Sequence, residues 1–395
     1  MQSTASDIAA SWKETRVQHR IFIPKETSEH EGRVGGSPES VKKLKTLGFD
    51  IVVEAGAGLL SRIPDSEFEK AGARIGSASD AKTADVVLKV RRPSSAEVSS
   101  YKSGAIVLAI MDPYGNEQAL GDMAKAGVSA FAMELMPRIT RAQSMDVLSS
   151  QANLAGYQAV IDAATEFDRA MPMMMTAAGT VPAAKVFVMG AGVAGLQAIA
   201  TARRLGAVVS ATDVRPASKE QVASLGAKFI AVEDEEFKAA ETSGGYAKPM
   251  SEAYQAKQAA LTAEHLAKQD IVITTALIPG RPAPRLITHE MLKAMKPGSI
   301  AVDLAVERGG NIEGAVAGHV VEVEGVKVVG YLNVPGRIAA SASALYAKNL
   351  FTFLETMVSK ETKALALDME DELIKATALT HDGVIVHPNF GGGQN

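Results

Sequence analysis

Hydrophobic positions along this chain fall into two alternating patterns. Short apolar runs rich in Val, Ile and Leu recur, and between them lie stretches with three- to four-residue apolar spacing. The first pattern marks buried strands and the second marks helices. Arg20–Pro24 reads as a strand that Pro24 closes. Ser37–Leu44 starts a helix, with Ser37 as N-cap and Pro38 at the first helical position, and Gly48 stops it. Phe49–Glu54 is the next strand. A helix over Asp65–Ala71, strands over Val86–Val90 and Ala105–Ile110, a helix over Ala119–Ala126 and a strand over Ser129–Met133 follow. Strands alternating with helices predict a parallel sheet, so the residues before about position 140 already make one α/β unit.

The alternation then repeats. An apolar run at Val186–Met189 leads into Gly190-x-Gly192-x-x-Gly195. Leu196–Leu205 has helical spacing, Gly206 ends it, and Val208–Thr212 is a second apolar run. Further strands are expected at Lys228–Val232, Ile271–Thr275, Ser299–Asp303 and Lys327–Gly330. Between the two repeats, Arg141–Arg169 predicts one long helix, and Ala339–Val358 predicts another. The tail, Leu365–Met369 and Val384–Val386, is placed most economically back on the first unit. The expected fold is α/β, with two Rossmann-like doubly wound domains joined by two long helices and a cleft between them. The first domain is expected over 1–140 and 340–395, and the second over 141–339 including a connecting helix.

Composition narrows the function. A chain of 395 residues is long enough for two cores. The net charge is −4, which gives no electrostatic case for nucleic acid. There is no cysteine, so disulfides, thiolate metal sites and a cysteine nucleophile are excluded. The seven histidines show no ligand spacing, and no metal is expected. The longest uncharged apolar stretch, around Val186–Ala202, is broken by glycines, and no membrane insertion is expected. Met1–Gln18 is polar, with no apolar core of a secretory signal.

Chemistry concentrates in the second repeat. Gly190 suits the tight turn, Gly192 a close approach of backbone to a pyrophosphate, and Gly195 close packing of helix on strand. The N-terminus of the helix that follows offers free N–H groups that favour phosphate. Asp213 ends the next strand, where a carboxylate accepts from both ribose hydroxyls and repels a 2′-phosphate, favouring NAD over NADP. Val214 and Arg215 follow it, and Arg215 weakens that preference.

Two further segments stand out. Gln143, Asp146, Ser149 and Asn153 are spaced three, three and four, which places them on one helical face. With Arg138 just before, this face reads either as a holder for a nicotinamide carboxamide or as a solvated helix face. Thr242–Pro249 is a glycine-hinged loop carrying Tyr246, readable as a lid or as a plain solvent loop. Met171–Met175 reads as adaptable core or interface packing.

These residues carry a family likeness. Pro24-Lys25-Glu26, Arg33-Val34, Ser37-Pro38, Glu54–Gly58 and the glycine fingerprint resemble the family of alanine dehydrogenases and the NAD(H)-binding domain of proton-translocating transhydrogenase. Met133–Arg138, Gln143–Asp146, Ser149–Gln151, Met173–Thr180, Gly244–Lys248 and Thr275–Gly280 are similar to the transhydrogenase branch in particular. The likeness runs from about Arg20 to the C-terminus. In alanine dehydrogenases a lysine and a histidine process pyruvate. The corresponding positions here are Arg91 and Asp112, while Arg33 matches a substrate-binding arginine of that branch.

The resemblance implies a hydride-transferring component that binds NAD(H). Its partners would be a domain carrying NADP(H) and membrane-spanning subunits, and the chain itself would pair as a homodimer. It places the chain in the cytoplasm, peripheral to a bacterial inner membrane. It implies that Gln143 reaches toward the NADP(H) side and that Arg138, Asp146 and Ser149 orient the nicotinamide. Tyr246 would close over the nucleotide. Gly190, Gly192, Val193, Ala194, Gly195, Asp213, Val214, Arg215, Ala276 and Leu277 would line the rest of the nucleotide site. Two other readings remain at this point, an amino-acid dehydrogenase of the alanine dehydrogenase type and a non-catalytic NAD(H) sensor.

Overall fold

Apolar runs become strands in both halves of the chain, and the computed structural model describes residues 19–240, 250–278 and 280–391. The first half contributes β1 (Arg20–Ile23), β2 (Asp50–Glu54), β3 (Arg74–Gly76), β4 (Val86–Arg91), β5 (Ile106–Ile110) and β6 (Ser129–Ala132). The second contributes β7 (Met174–Thr176), β8 (Gly179–Val181), β9 (Lys185–Met189), β10 (Val208–Thr212), β11 (Lys228–Phe229), β12 (Ile271–Thr274), β13 (Ile300–Asp303), β14 (Val320–Val323) and β15 (Val326–Val329). The tail adds β16 (Ala378–His381) and β17 (Val384–Ile385). Two units result. One holds the described residues up to Val147 and from Ala339 onward, the other Leu148–Ile338.

In the first unit the sheet runs β17-β16-β6-β5-β4-β1-β2-β3. Its β1 to β6 pairings are parallel, and β16 joins β6 antiparallel. In the second unit the order is β11-β10-β9-β12-β13-β15-β14, with only β14 antiparallel. Both contain the doubly wound order 3-2-1-4-5-6, whose ligand crevice opens where the winding reverses, beyond the carboxyl ends of the first and fourth strands. Beyond β9 and β12 lie the glycine turn and Thr275–Leu277.

Side-chain alternation explains why both faces are covered. Ile21 and Ile23 enter one core of the first sheet with Ile51 and Leu88, and Phe22 enters the other with Val52 and Val87. In the second sheet Val186 and Val188 face Ile271 and Ile273, while Phe187 faces Val272 on the opposite side. Strands buried on both faces read as continuous apolar runs, the pattern parallel sheets require.

Four expectations are corrected. The long helix over Arg141–Arg169 is broken: Thr140–Met145 is a 3-10 turn, Asp146 is extended, and the α-helix covers Val147–Glu166. The Ser144 carbonyl accepts from Asn349 Nδ2 at 2.8 Å, a tertiary partner in place of a helical one. The strand at Lys228–Val232 stops at Phe229 on the sheet edge, because the Val232 amide donates to Gln258 Oε1 at 2.9 Å. A helix over Glu252–Leu266, capped by Ser251, lies where no element was expected. Of Met171–Met175, Met171 enters the second unit's core, whereas Met173–Met175 do not. They sit on the β7–β8 hairpin with Met175 73 % exposed, because that two-stranded ribbon has no layer over it.

Candidate functional site

The glycine turn is built by steric demand. Gly190 has φ of 105°, the left-handed region that other residues avoid. Gly192 caps the helix Val193–Arg204, and a Cβ on it would meet no protein atom within 4 Å. A Cβ on Gly195 would lie 1.8 Å from the Gly190 carbonyl oxygen, so only glycine lets helix and strand come this close. The first turn of the helix then presents backbone N–H groups with no helical acceptor. A turn of this shape fits a pyrophosphate, since both donors and open space are present.

The turn is braced from the next strand over. Thr275 Oγ1 donates to the Gly190 carbonyl at 3.2 Å. Asn311, fully buried, donates to the Ala276 carbonyl at 2.9 Å and accepts from the Ala276 amide at 3.1 Å. Asn311 was not anticipated, because nothing local in a residue 35 positions downstream marks it. Val193, Val214 and Leu277 are exposed apolar side chains at 42, 66 and 54 %, and Ala194 and Ala276 are half-buried.

Asp213 sits at the end of β10 with its side chain 8 % exposed. Its Oδ2 accepts from the Ala191 amide at 2.7 Å and from Arg215 Nη2 at 3.0 Å. Its Oδ1 accepts from the Arg215 amide and from Arg215 Nε, both at 2.8 Å. Burial alone would raise the carboxyl pKa. The Arg215 guanidinium and the two backbone amides outweigh burial and hold it below the ordinary value. Tyr246 and its loop lie outside the described residues.

In the first unit, the segment after β6 forms a second feature. Pro137, Arg138, Ile139, Thr140, Ala142, Gln143 and Asp146 line a cavity of about 380 Å³. Buried Ala142 and Met145 anchor the segment, and Arg138 and Gln143 are exposed. The break at Asp146 means that Gln143, Asp146 and Ser149 do not share a helical face. The first two belong to the 3-10 turn and its end, whereas Ser149 lies in the first turn of the helix Val147–Glu166. Arg138, Gln143 and Asp146 thus meet around one cavity of the first unit, and Ser149 belongs to the second.

The two arginines at the positions that correspond to the amino-acid site are held by one buried carboxylate. Arg33, with its side chain 2 % exposed, pairs with Glu31 through Nε at 2.8 Å and Nη2 at 2.7 Å. Arg91 Nε reaches the same carboxylate at 2.7 Å. Burial pushes the Glu31 pKa up, but the two arginines overcome it and bring it down to about 2. The cavity beside Glu26, Glu31 and Arg33 measures about 10 Å³, room for one water. Asp112, at φ 47°, spends its backbone amide on the Glu134 carboxylate.

Fold and turn together define a Rossmann-type, nucleotide-binding α/β protein. Residues 22–155 match the family described as alanine dehydrogenase/PNT, N-terminal domain, and residues 159–388 match the alanine dehydrogenase/PNT C-terminal domain. The chain belongs to the alanine dehydrogenase/PNT family. It is 57 % identical over 380 residues to an NAD(P) transhydrogenase subunit alpha chain of Rhodospirillum rubrum, spanning 94 % of this chain and 99 % of that one. The crystal structure of a transhydrogenase from Sinorhizobium meliloti superimposes with a TM-score of 0.86 at 76 % identity, over 93 % of this chain and all of that one. An L-alanine dehydrogenase superimposes at 0.78 with 24 % identity, over 94 % of this chain and 98 % of that one, a likeness of fold alone.

Proposed function

We propose that this chain is the NAD(H)-binding component of a proton-translocating transhydrogenase, passing hydride between NADH and NADP⁺ held on a partner domain. The observation that carries this reading is the ion-paired Glu31–Arg33–Arg91 cluster in a chain that keeps the glycine turn and Asp213. The arginines at the positions that would meet a 2-oxo acid are paired with the protein's own Glu31, while the turn remains open at Gly192. This favours the transhydrogenase branch over an amino-acid dehydrogenase. The high identity to transhydrogenase alpha chains agrees with it.

The chain's residues then divide the work. The turn Gly190–Gly195 binds pyrophosphate through helix N-terminal amides. Asp213 selects the adenosine ribose, and Val214, Ala276 and Leu277 flank the adenosine. Arg138, Asp146 and Ser149 orient the nicotinamide, and Gln143 governs its approach to the partner's ring. When bound, the nicotinamide supplies the hydride, so the protein's task is alignment and exclusion of water rather than proton transfer. Tyr246 is assigned to closing over the nucleotide. Two copies are assigned to pair, supported by the exposed Met173–Met175 hairpin, a surface of adaptable apolar side chains. No helix among the described residues is long and apolar enough to cross a membrane. The reading therefore leaves proton translocation to membrane-spanning partners and places the chain at the cytoplasmic face of the membrane.

Stopped-flow mixing of the chain and NADH with an NADP⁺-loaded transhydrogenase domain tests this. Fast NADH oxidation only in that mixture is expected. Turnover with pyruvate and ammonium alone would move the chain to the amino-acid dehydrogenases, and NADH binding without turnover anywhere would leave a sensor. In the same assay, Gln143→Asn should keep NADH affinity within about twofold and slow hydride transfer by about tenfold or more, since shortening the side chain alters ring approach. Equal losses in affinity and rate would remove the assigned role.

A further inference from the structure

We propose that Arg215 is a specificity latch on the ribose-recognising carboxylate: it competes with the ribose diol for Asp213 and, once displaced, favours a 2′-phosphate. This rests on the nucleotide-binding reading above and adds a residue that sets its selectivity.

A carboxylate offers about four acceptor positions. All four on Asp213 are used, two by backbone amides of Ala191 and Arg215 and two by the Arg215 guanidinium. The amides are fixed by the glycine turn and the end of β10. The guanidinium is the removable pair, on a side chain 33 % exposed over a carboxylate that is 8 % exposed. A ribose diol donating two hydrogen bonds must therefore take the places of Nε and Nη2. An ion pair is lost and hydroxyl–carboxylate bonds are gained in its place, which weakens diol binding. A 2′-phosphate reverses the balance. It is repelled by Asp213 but brings its own oxygens to the guanidinium, whose planar fork suits them. Arg215 thus works against NAD(H) and narrows its advantage over NADP(H).

The test is equilibrium binding by calorimetry, with NADH and NADPH titrated separately into the full chain. Arg215→Ala should bind NADH about threefold to tenfold more tightly, as the guanidinium no longer competes for the carboxylate. It should bind NADPH more weakly, so the NADH-to-NADPH preference widens by about tenfold or more. Arg215→Lys, a point charge that cannot span both oxygens, should fall between wild type and alanine and serves if the alanine variant does not fold. NADH affinity unchanged or reduced in both variants, with wild type binding NADH, overturns the latch alone. No NADH binding by wild type overturns the latch and the nucleotide-binding reading together.

Discussion

Glu31→Gln should lower the stability of the first unit by about 3–5 kcal/mol, because it removes the carboxylate charge that Arg33 and Arg91 share while keeping the side chain's size. Glu31 is fully buried and Arg33 nearly so, at 0 and 2 % side-chain exposure. Water therefore does little to soften the loss. The melting temperature of the first unit should fall by about 10 °C, read by calorimetry. Glu67→Gln, at an exposed Lys70 pair, should leave it unchanged. The pH dependence has a defined sign. Glu31 titrates at about 2 in the folded chain, below its ordinary value of 4.5. Its contribution is therefore complete above the unfolded value and is lost as pH falls through the folded one. The wild-type chain should lose stability between about pH 4.5 and 2 along a limb that the glutamine variant lacks. Parallel acid limbs, or an unchanged melting temperature, would show that the cluster does not hold the unit together.

Gly195→Ala should abolish measurable NADH binding. Its Cβ would stand 1.8 Å from the Gly190 carbonyl oxygen, backbone against backbone, with no flexible side chain to yield. Relief requires the helix Val193–Arg204 to move off β9. Overpacking of this kind costs about 3 kcal/mol, equivalent to about a hundredfold in affinity if the strain falls on the turn. Gly192→Ala is the informative contrast. A Cβ there meets no protein atom within 4 Å, so the fold should stay intact by thermal unfolding, and only nucleotide binding should weaken. A Gly195→Ala chain that binds NADH normally would mean that the turn does not carry the pyrophosphate.

Much of this architecture was legible because it is local. The strands with continuous apolar runs, the cap at Ser37 and the glycine fingerprint depend on neighbours within a few residues. The side chain of Ser37 accepts from Ser40 N, as its position before Pro38 implied. The family was also legible, since the motif residues are contiguous. The break at Asp146 was not. Residues Arg141–Asn153 have helical spacing throughout, and only Asn349, 205 positions beyond Ser144, diverts that residue's carbonyl. The same holds for β11, cut short by Gln258, and for the exposed methionine hairpin, where an apolar composition says nothing about whether a third layer exists.

The doubly wound fold, the position of the nucleotide turn and the family are readable without coordinates, because period, turn chemistry and glycine sterics act over short spans. Which charged residues are left to act depends on long-range packing. In sequence Arg33 matches a substrate-binding arginine of the alanine dehydrogenase branch and Arg91 stands where that branch has a lysine, and folding commits both to Glu31. Arg215 reads as a charge two residues from Asp213, and folding turns it back onto that carboxylate. Sequence separation does not encode how completely water is removed from an ion pair or which oxygen a guanidinium takes, and those two quantities set whether a charge binds a ligand or its own chain.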